Sequence, residues 1–416
     1  MPPRLLRGAW FVVALLVPVA MLNYLDRQML ATMKFSVMTD ISDIGSEANW
    51  GKILALFKWT YAVLSPIGGY LADRFSRRLV IGGSLFVWSA VTWMTGHVMT
   101  YEQLLVTRAA MGISEAFYIP AALALIADYH LGETRSRAVG LHQMGIYAGI
   151  IIGGFSGYVA DDPELGWRWM FDLCGLMGVL YALPLFLFLR NVRTGDMVDG
   201  RATSPAGALR ELLGNPSFIL LVLYFTLPAI AGWVVRDWMP AILKAEFGIG
   251  QGKAGVSATL YWMVACIFGA ILGGWLADRW MRRTQRARIF TSAMGMLLIV
   301  IAMFGVGYSP KTGLLGMAIA FLIVFGLGWG FFDTNNMPIL CQIARPHLRA
   351  TGYGIMNLVS ISCGGLADWG FGILRDLHAP LIAIFGLFGG VGIISIVLVL
   401  LIKPRYADAG PVSVAR

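Results

Sequence analysis

The sequence predicts an all-α membrane protein, with twelve transmembrane helices in two pseudo-symmetric six-helix bundles. Three observations carry that prediction. The 416 residues are 58% hydrophobic and only 13% charged, with mean hydropathy +0.71. A soluble domain is about 45–50% apolar and roughly a quarter charged. Runs such as "LIAIFGLFGGVGIISIVLVLLI" (381–402) match or exceed the roughly 20 apolar residues that a helix needs to cross a bilayer. And "GGYLADRFSRR", beginning at Gly68, returns as "GGWLADRWMRR" at Gly273, 205 residues later.

The twelve apolar segments run 9–38, 50–72, 78–98, 101–129, 136–160, 167–190, 216–244, 254–277, 288–308, 313–342, 348–374 and 379–402. The first follows two arginines, as the apolar part of a signal peptide does. No small-residue cleavage site comes after it, and the run continues into "NYLDRQML", so it is expected to be retained. Most connections are short. The exception, "RNVRTGDMVDGRATSPAGALRELLGN" (190–215), is polar and basic and contains Ser-Pro and Gly. It divides the chain into a first bundle (1–190), a linker (191–215), a second bundle (216–403) and a tail (404–416).

Lys and Arg set the orientation. The segment before helix 1, the loops after helices 2, 4, 8 and 10, the linker and the tail hold about twenty of them, and the opposite side about five. Both termini and the linker are therefore expected in the cytoplasm. The net charge of +9 follows from this bias and implies no nucleic-acid partner. Cys174, Cys266, Cys341 and Cys363 stand singly in apolar segments, where cysteine acts as a small hydrophobe, and no spacing suggests a metal. No GxSxG, HExxH or Walker A motif supports an enzyme.

The internal repeat extends further. "GISEAFYIP" (112–120) has a counterpart in "GFFDTNNMP" (330–338), "RAVG" at Arg137 in "RATG" at Arg349, and Asp26-Arg27 in Arg236-Asp237. Two parallel halves related by an axis along the membrane normal are what such repeats imply.

"GYLADRFSRR" and "GWLADRWMRR" resemble the helix 2–3 and helix 8–9 loop signature of the major facilitator superfamily, with Ser76 and Met281 where glycine is common. The resemblance covers essentially the whole chain. It implies a gating latch between halves, formed by Gly69, Asp73, Arg74, Arg77 and Arg78 in one copy and Gly274, Asp278, Arg279, Arg282 and Arg283 in the other. Within the superfamily, "NYLDR", "WTYAVLSPIGGYLADR", "RAAMGISEAFYIPA" and "WMPAILKAEFGIGQGKAG" are similar to the anion:cation symporters, which include bacterial sugar-acid carriers. "NYLDR" and "GISEAFY…ALIADYH" also resemble the Spinster lipid transporters. The helix 2 and helix 7 matches favour the symporters.

Ionisable residues within apolar spans cost about 2.5–3.5 kcal/mol each, so they face a bundle interior or cavity and mark a site. Asp26, Arg27, Lys34, Lys58, Arg108, Glu115, His142, Asp172, Arg236, Asp237, Asp333 and Asp368 qualify. At 1.5 Å per residue, Lys58 lies roughly 12 Å and Glu115 about 21 Å down their helices. Arg108 and Glu115, two turns apart, share a face.

Carboxylates held in low dielectric can load and release protons near neutral pH. Asp26 and Glu115 are therefore the expected proton-coupling pair, a role the resemblance also assigns, with Arg108 setting the ionisation of Glu115. Arg27 offers a planar fork for a carboxylate and is the expected substrate anchor; the alternative makes it a partner of Asp26. Lys58 stands where the symporters usually have a small polar residue, and serves either the ligand or Asp26. Tyr61, His142, Gln143, Asn335, Asn336 and Asn357 supply hydrogen-bonding groups. His142 is read first as a bonded residue at a helix interface. Asp333 is either a second coupling group or a helix cap.

These readings combine into an expected function. The protein is expected to be a monomeric, proton-coupled symporter of a small organic anion, most readily a sugar acid. Its setting is a bacterial inner membrane, it uses no cofactor, and Na⁺ is the alternative coupling ion. A Spinster-like lysolipid or sphingolipid transporter, or a carrier of a neutral sugar or monocarboxylate, are the alternatives.

Overall fold

The computed structural model describes residues 3–130, 134–190, 205–345 and 348–404. Most of the expected linker and nearly all of the tail lie outside these residues. The described chain is helical: α1 (Pro3–Thr32), α2 (Lys34–Asp40), α3 (Glu47–Arg74), α4 (Arg77–Thr95), α5 (Tyr101–Glu115), α6 (Tyr118–Tyr129), α7 (Arg135–Asp161) and α8 (Gly166–Phe188). It continues with α9 (Pro205–Leu213), α10 (Pro216–Phe247), α11 (Gln251–Met281), α12 (Ala287–Thr312), α13 (Leu315–Ile343), α14 (Arg349–Asp376) and α15 (Leu381–Leu401).

Every expected segment is helical. Among the described residues, nine spans are long and apolar enough to cross a membrane. The segments expected at 50–72, 78–98 and 348–374, now α3, α4 and α14, are not among those nine. Lys52 and Lys58 interrupt α3, Gly, Ser and Thr dilute α4, and Arg349, Asp368 and Asp376 interrupt α14. The segment expected as one helix over 101–129 is broken into α5 and α6. Pro120 has no N–H to offer the carbonyl of Ala116, so the helical ladder fails there.

Helix starts follow local chemistry. Thr100 caps α5 by accepting from the Gln103 N–H (3.3 Å). Ser76, which departs from the familiar glycine, caps α4 by accepting from the Leu79 N–H. At the start of α3, Asp376 of α14 accepts from the N–H groups of Glu47 (2.9 Å) and Ala48 (2.8 Å).

Two compact units emerge. One comprises Met1–Asp196, Trp233–Leu260 and Gly364–Ala379; the other comprises Met197–Gly232, Tyr261–Cys363 and Pro380–Arg416. These units cut across the chain-order boundaries at 190 and 216, because α10, α11 and α14 each contribute to both. Within the first unit, α1 packs on α7, α4 on α8 and α3 on α5. Within the second, α12 packs on α13 and α15.

The repeat recurs as the same close contact in each unit. A Cβ on Gly112 would lie 2.5 Å from the Phe57 carbonyl oxygen, and one on its counterpart Gly330 would lie 2.4 Å from the Cys266 carbonyl oxygen. Only glycine lets these helices approach backbone to backbone, the small-residue packing that membrane helices depend on. Gly112→Ala is therefore expected to lower the melting temperature of the detergent-solubilised protein, at a cost of about 1–3 kcal/mol. Gly83→Ala, with nothing within 4 Å of its added methyl, is expected to be neutral or stabilising. Equal melting temperatures for the two variants would show that the contact does not constrain the fold.

Candidate functional site

A narrow, partly open cleft lies within the first unit, lined by Arg27, Leu30, Leu54, Phe57, Lys58, Arg108, Trp233, Arg236 and Asp237. The lining combines four cations and one aspartate with four apolar side chains.

Arg27 and Glu115 meet on its wall. The two guanidinium nitrogens Nη2 and Nε lie 2.6 and 2.7 Å from Glu115 Oε2, and Nη2 also donates to Asn23 Oδ1 at 3.1 Å. The rings of Tyr24, Phe57 and Tyr61 surround the guanidinium at 4.7, 4.7 and 4.9 Å. The Glu115 side chain is fully buried. Three aromatic faces and one carboxylate thus replace the water that a free guanidinium would hold.

Asp26 accepts from Thr92 Oγ1 at 3.0 Å, and its other carboxylate oxygen is buried without a partner. Arg108 donates to Thr95 Oγ1 at 3.3 Å and, among the described residues, forms no ion pair. The expected partnerships therefore change. Glu115 is answered at close range by Arg27 rather than by Arg108, and Arg27 serves Glu115 rather than its neighbour Asp26. Successive residues on a helix point about 100° apart, so Asp26 and Arg27 face different neighbours.

Lys58 is bonded neither to Asp26 nor to open space. Its ammonium binds both Asp237 of α10 and Asp368 of α14, all three side chains being largely or wholly buried. Arg236 approaches Asp237 at 3.5 Å and lies over the rings of Tyr24 and Trp233.

The remaining expected residues are dispersed. Tyr61 is buried beside Phe57 and under Arg27. His142 Nε2 lies 2.9 Å from the hydroxyl of Tyr118, which donates to the Leu16 carbonyl, so the histidine sits in a helix interface. Gln143 is half-buried on α7. In the second unit, Asn335 donates to the Phe331 carbonyl of its own helix, Asn336 is buried, Asn357 is half-buried, and Asp333 is exposed.

Of the latch residues, Gly69, Asp73 and Arg74 lie on the helical backbone of α3, and their side chains are outside the described residues. Arg77 binds Asp128 of α6 and donates to the Ala124 carbonyl at 3.0 Å. Arg78 is half-buried. In the second copy, a Cβ on Gly274 would lie 3.9 Å from Thr334 Oγ1, Asp278 is mostly exposed and 3.6 Å from Arg288, Arg279 lies over Trp275, and Arg282 and Arg283 are exposed. Asp128, the partner of Arg77, was not among the expected residues, although "ALIADYH" carries it.

A helical chain built on two repeats, with a charged cleft inside its membrane spans, has the build of a secondary transporter. The chain belongs to the Major Facilitator Superfamily, whose profile matches residues 16–367. It is 31% identical over 310 residues to spinster homolog 1 of Bos taurus, covering 69% of this chain and 58% of that protein. To the sphingosine-1-phosphate transporter SPNS2 of Mus musculus it is 27% identical over 380 residues, covering 86% and 68%. The chain thus spans little more than half the length of the spinster homolog it matches. Its fold is that of a bacterial homolog of the human lysosomal transporter Spinster, solved in an inward-facing, unoccupied conformation. That comparison gives a TM-score of 0.77 at 21% identity over 97% of this chain and 96% of that one. The resemblance to anion:cation symporters, drawn from helices 2 and 7, is not confirmed by these relatives; they belong with the second resemblance.

Arg27→Met should be strongly destabilising, by about 3–5 kcal/mol, because it leaves the Glu115 carboxyl buried without its partner, to be held charged or forced to take up a proton. Arg27→Met/Glu115→Leu removes both charges and is expected to recover most of that loss. Thermal melts of the three proteins check this, and an additive double variant would show that the two residues do not act as a pair.

Proposed function

We propose that the protein is a proton-coupled secondary transporter of an amphiphile with an anionic head and a long apolar tail. It works by alternating access, in a membrane whose cytoplasmic face carries both termini and the arginine-rich turns. The observation that carries this reading is the mixed lining of the cleft: Arg108, which forms no ion pair among the described residues, and Arg27, whose fork an anion can take from Glu115, stand beside Leu30, Leu54, Phe57 and Trp233. Cations suit a phosphate or carboxylate head, and the aliphatic and aromatic wall suits methylenes. The spinster and sphingosine-1-phosphate transporters among its relatives support a substrate of that class.

The chemistry couples through Glu115. An anion that takes the fork of Arg27 displaces Glu115, which is then a bare carboxylate in an apolar pocket. Such a group takes up a proton, since burial disfavours its charged form. Release of the anion returns Arg27 to Glu115 and expels the proton. Asp26, buried a helical step away with one oxygen unpaired, is the second proton acceptor. The hydrophilic alternative, a sugar acid, is favoured by the cations alone and leaves the apolar half of the lining without a role.

Two measurements test the reading. In a thermal-shift screen at pH 6 and 8, an alkyl phosphate or lysophospholipid is expected to stabilise the protein more than a neutral alkyl glycoside of equal chain length, and galactonate is expected to have no effect. Stabilisation by galactonate alone would restore the sugar-acid reading. In proteoliposomes, Glu115→Gln is expected to abolish accumulation driven by a pH gradient while retaining counterflow exchange, which moves no net proton. Loss of both activities in a folded variant would take Glu115 out of coupling.

A further inference from the structure

We infer that Lys58 is a positioning residue. It clasps α3 to α10 and α14, and the cleft opens at this end only when its ammonium gives up a carboxylate. The inference requires no ligand and stands apart from the substrate reading.

The geometry is that of a closure. One nitrogen binds carboxylates 179 and 310 residues away in sequence, and one face of the lysine is covered by the Trp233 ring, 4.8 Å from Nζ. The backbones beneath it are in contact. A Cβ on Gly51 would lie 2.4 Å from the Asp368 carbonyl oxygen, and one on Gly372 would lie 2.3 Å from that of Glu47. Asp376 caps the first turn of α3 at the same end. The second Asp368 oxygen is buried without a hydrogen bond, so the ammonium is the main answer to that carboxylate. No second copy exists: 205 residues on, the position equivalent to Lys58 is Met263.

Other charges facing the clasp do not replace it. Arg236 lies 3.5 Å from Asp237, at the longer end of ion-pair range. Arg27 is committed to Glu115, Arg108 to Thr95, and Asp26 to Thr92. A buried ion pair adds little net stability, but breaking it by removing one partner is severe. That asymmetry suits a contact whose task is to hold one arrangement rather than to strengthen the fold. Without the ammonium, two carboxylates that had touched the same nitrogen repel each other until one takes a proton.

The test places a cysteine at Leu54, which lines the cleft beside Lys58, in a protein whose Cys174, Cys266, Cys341 and Cys363 are replaced by alanine. A membrane-impermeant maleimide is added on the side that Glu47 faces. Lys58→Met is expected to raise the labelling rate at least about ten-fold, and the increase should grow with pH. At low pH the two carboxylates share protons and tolerate closure; at high pH both are charged and drive the end apart. Lys58→Arg, which keeps the charge, is expected to label like the parent at every pH. Equal rates for Lys58→Met and the parent across the pH range, or an open Lys58→Arg, would overturn the inference. Should Lys58→Met fail to insert, Asp368→Asn leaves Lys58 with Asp237 and no bare charge. It is expected to label a few-fold faster than the parent, and an unchanged rate there defeats the clasp.

Discussion

A charge placed in the low-dielectric interior of a membrane protein must be answered nearby, and the first unit is organised around that requirement. Arg27 takes Glu115; Lys58 takes two aspartates; each of these pairs joins helices far apart in sequence. The aromatic rings around Arg27 and Lys58 extend the same logic, since their faces offer negative potential where water cannot reach. Remove the charges and the cleft would be a hydrophobic seam with nothing to set its chemistry.

Most of the helices were legible in the sequence because a bilayer demands about twenty apolar residues for each crossing; α3, α4 and α14, interrupted by charge or diluted by small polar residues, carried that signal more weakly. The repeat was legible too, through motifs whose glycines now serve as contact points between helices. The break within 101–129 was written in Pro120, but a mostly apolar run continuing on both sides of the proline hides a lost hydrogen bond. The ionisable residues of the cleft were legible as charges inside apolar spans, although Arg236 and Asp237 were not among the expected site residues. The pairings were not legible, because pairing depends on which way neighbouring positions point. Asp26 and Arg27 are adjacent in the chain and divergent on the helix. Arg108 and Glu115 share a face but stand two turns apart, about 10.5 Å along the axis, and the shorter reach to Arg27 wins.

The symporter resemblance goes unconfirmed for a related reason. It rested on stretches of helices 2 and 7 whose glycines, prolines and aromatics serve helix packing as much as substrate binding. Packing residues report the superfamily; the residues that line the cleft are few and scattered over four helices. Lys58 was the visible departure from the symporter pattern, but its partners Asp237 and Asp368, 179 and 310 residues away, were not legible beside it.

The two repeats share their skeleton and differ in their charge. Gly112 and Gly330 make equivalent contacts, yet Glu115 is buried against an arginine while Asp333, its counterpart, is exposed and has no ion pair among the described residues. Asp26-Arg27 becomes Arg236-Asp237, reversing the order of the signs, and Lys58 becomes Met263. The backbone is doubled and the charges are not. For the amphiphilic substrate proposed above, charged at one end and apolar at the other, that difference would be useful: the doubled backbone would supply two similar halves, and the charges that the first half does not share would supply a place for the head group.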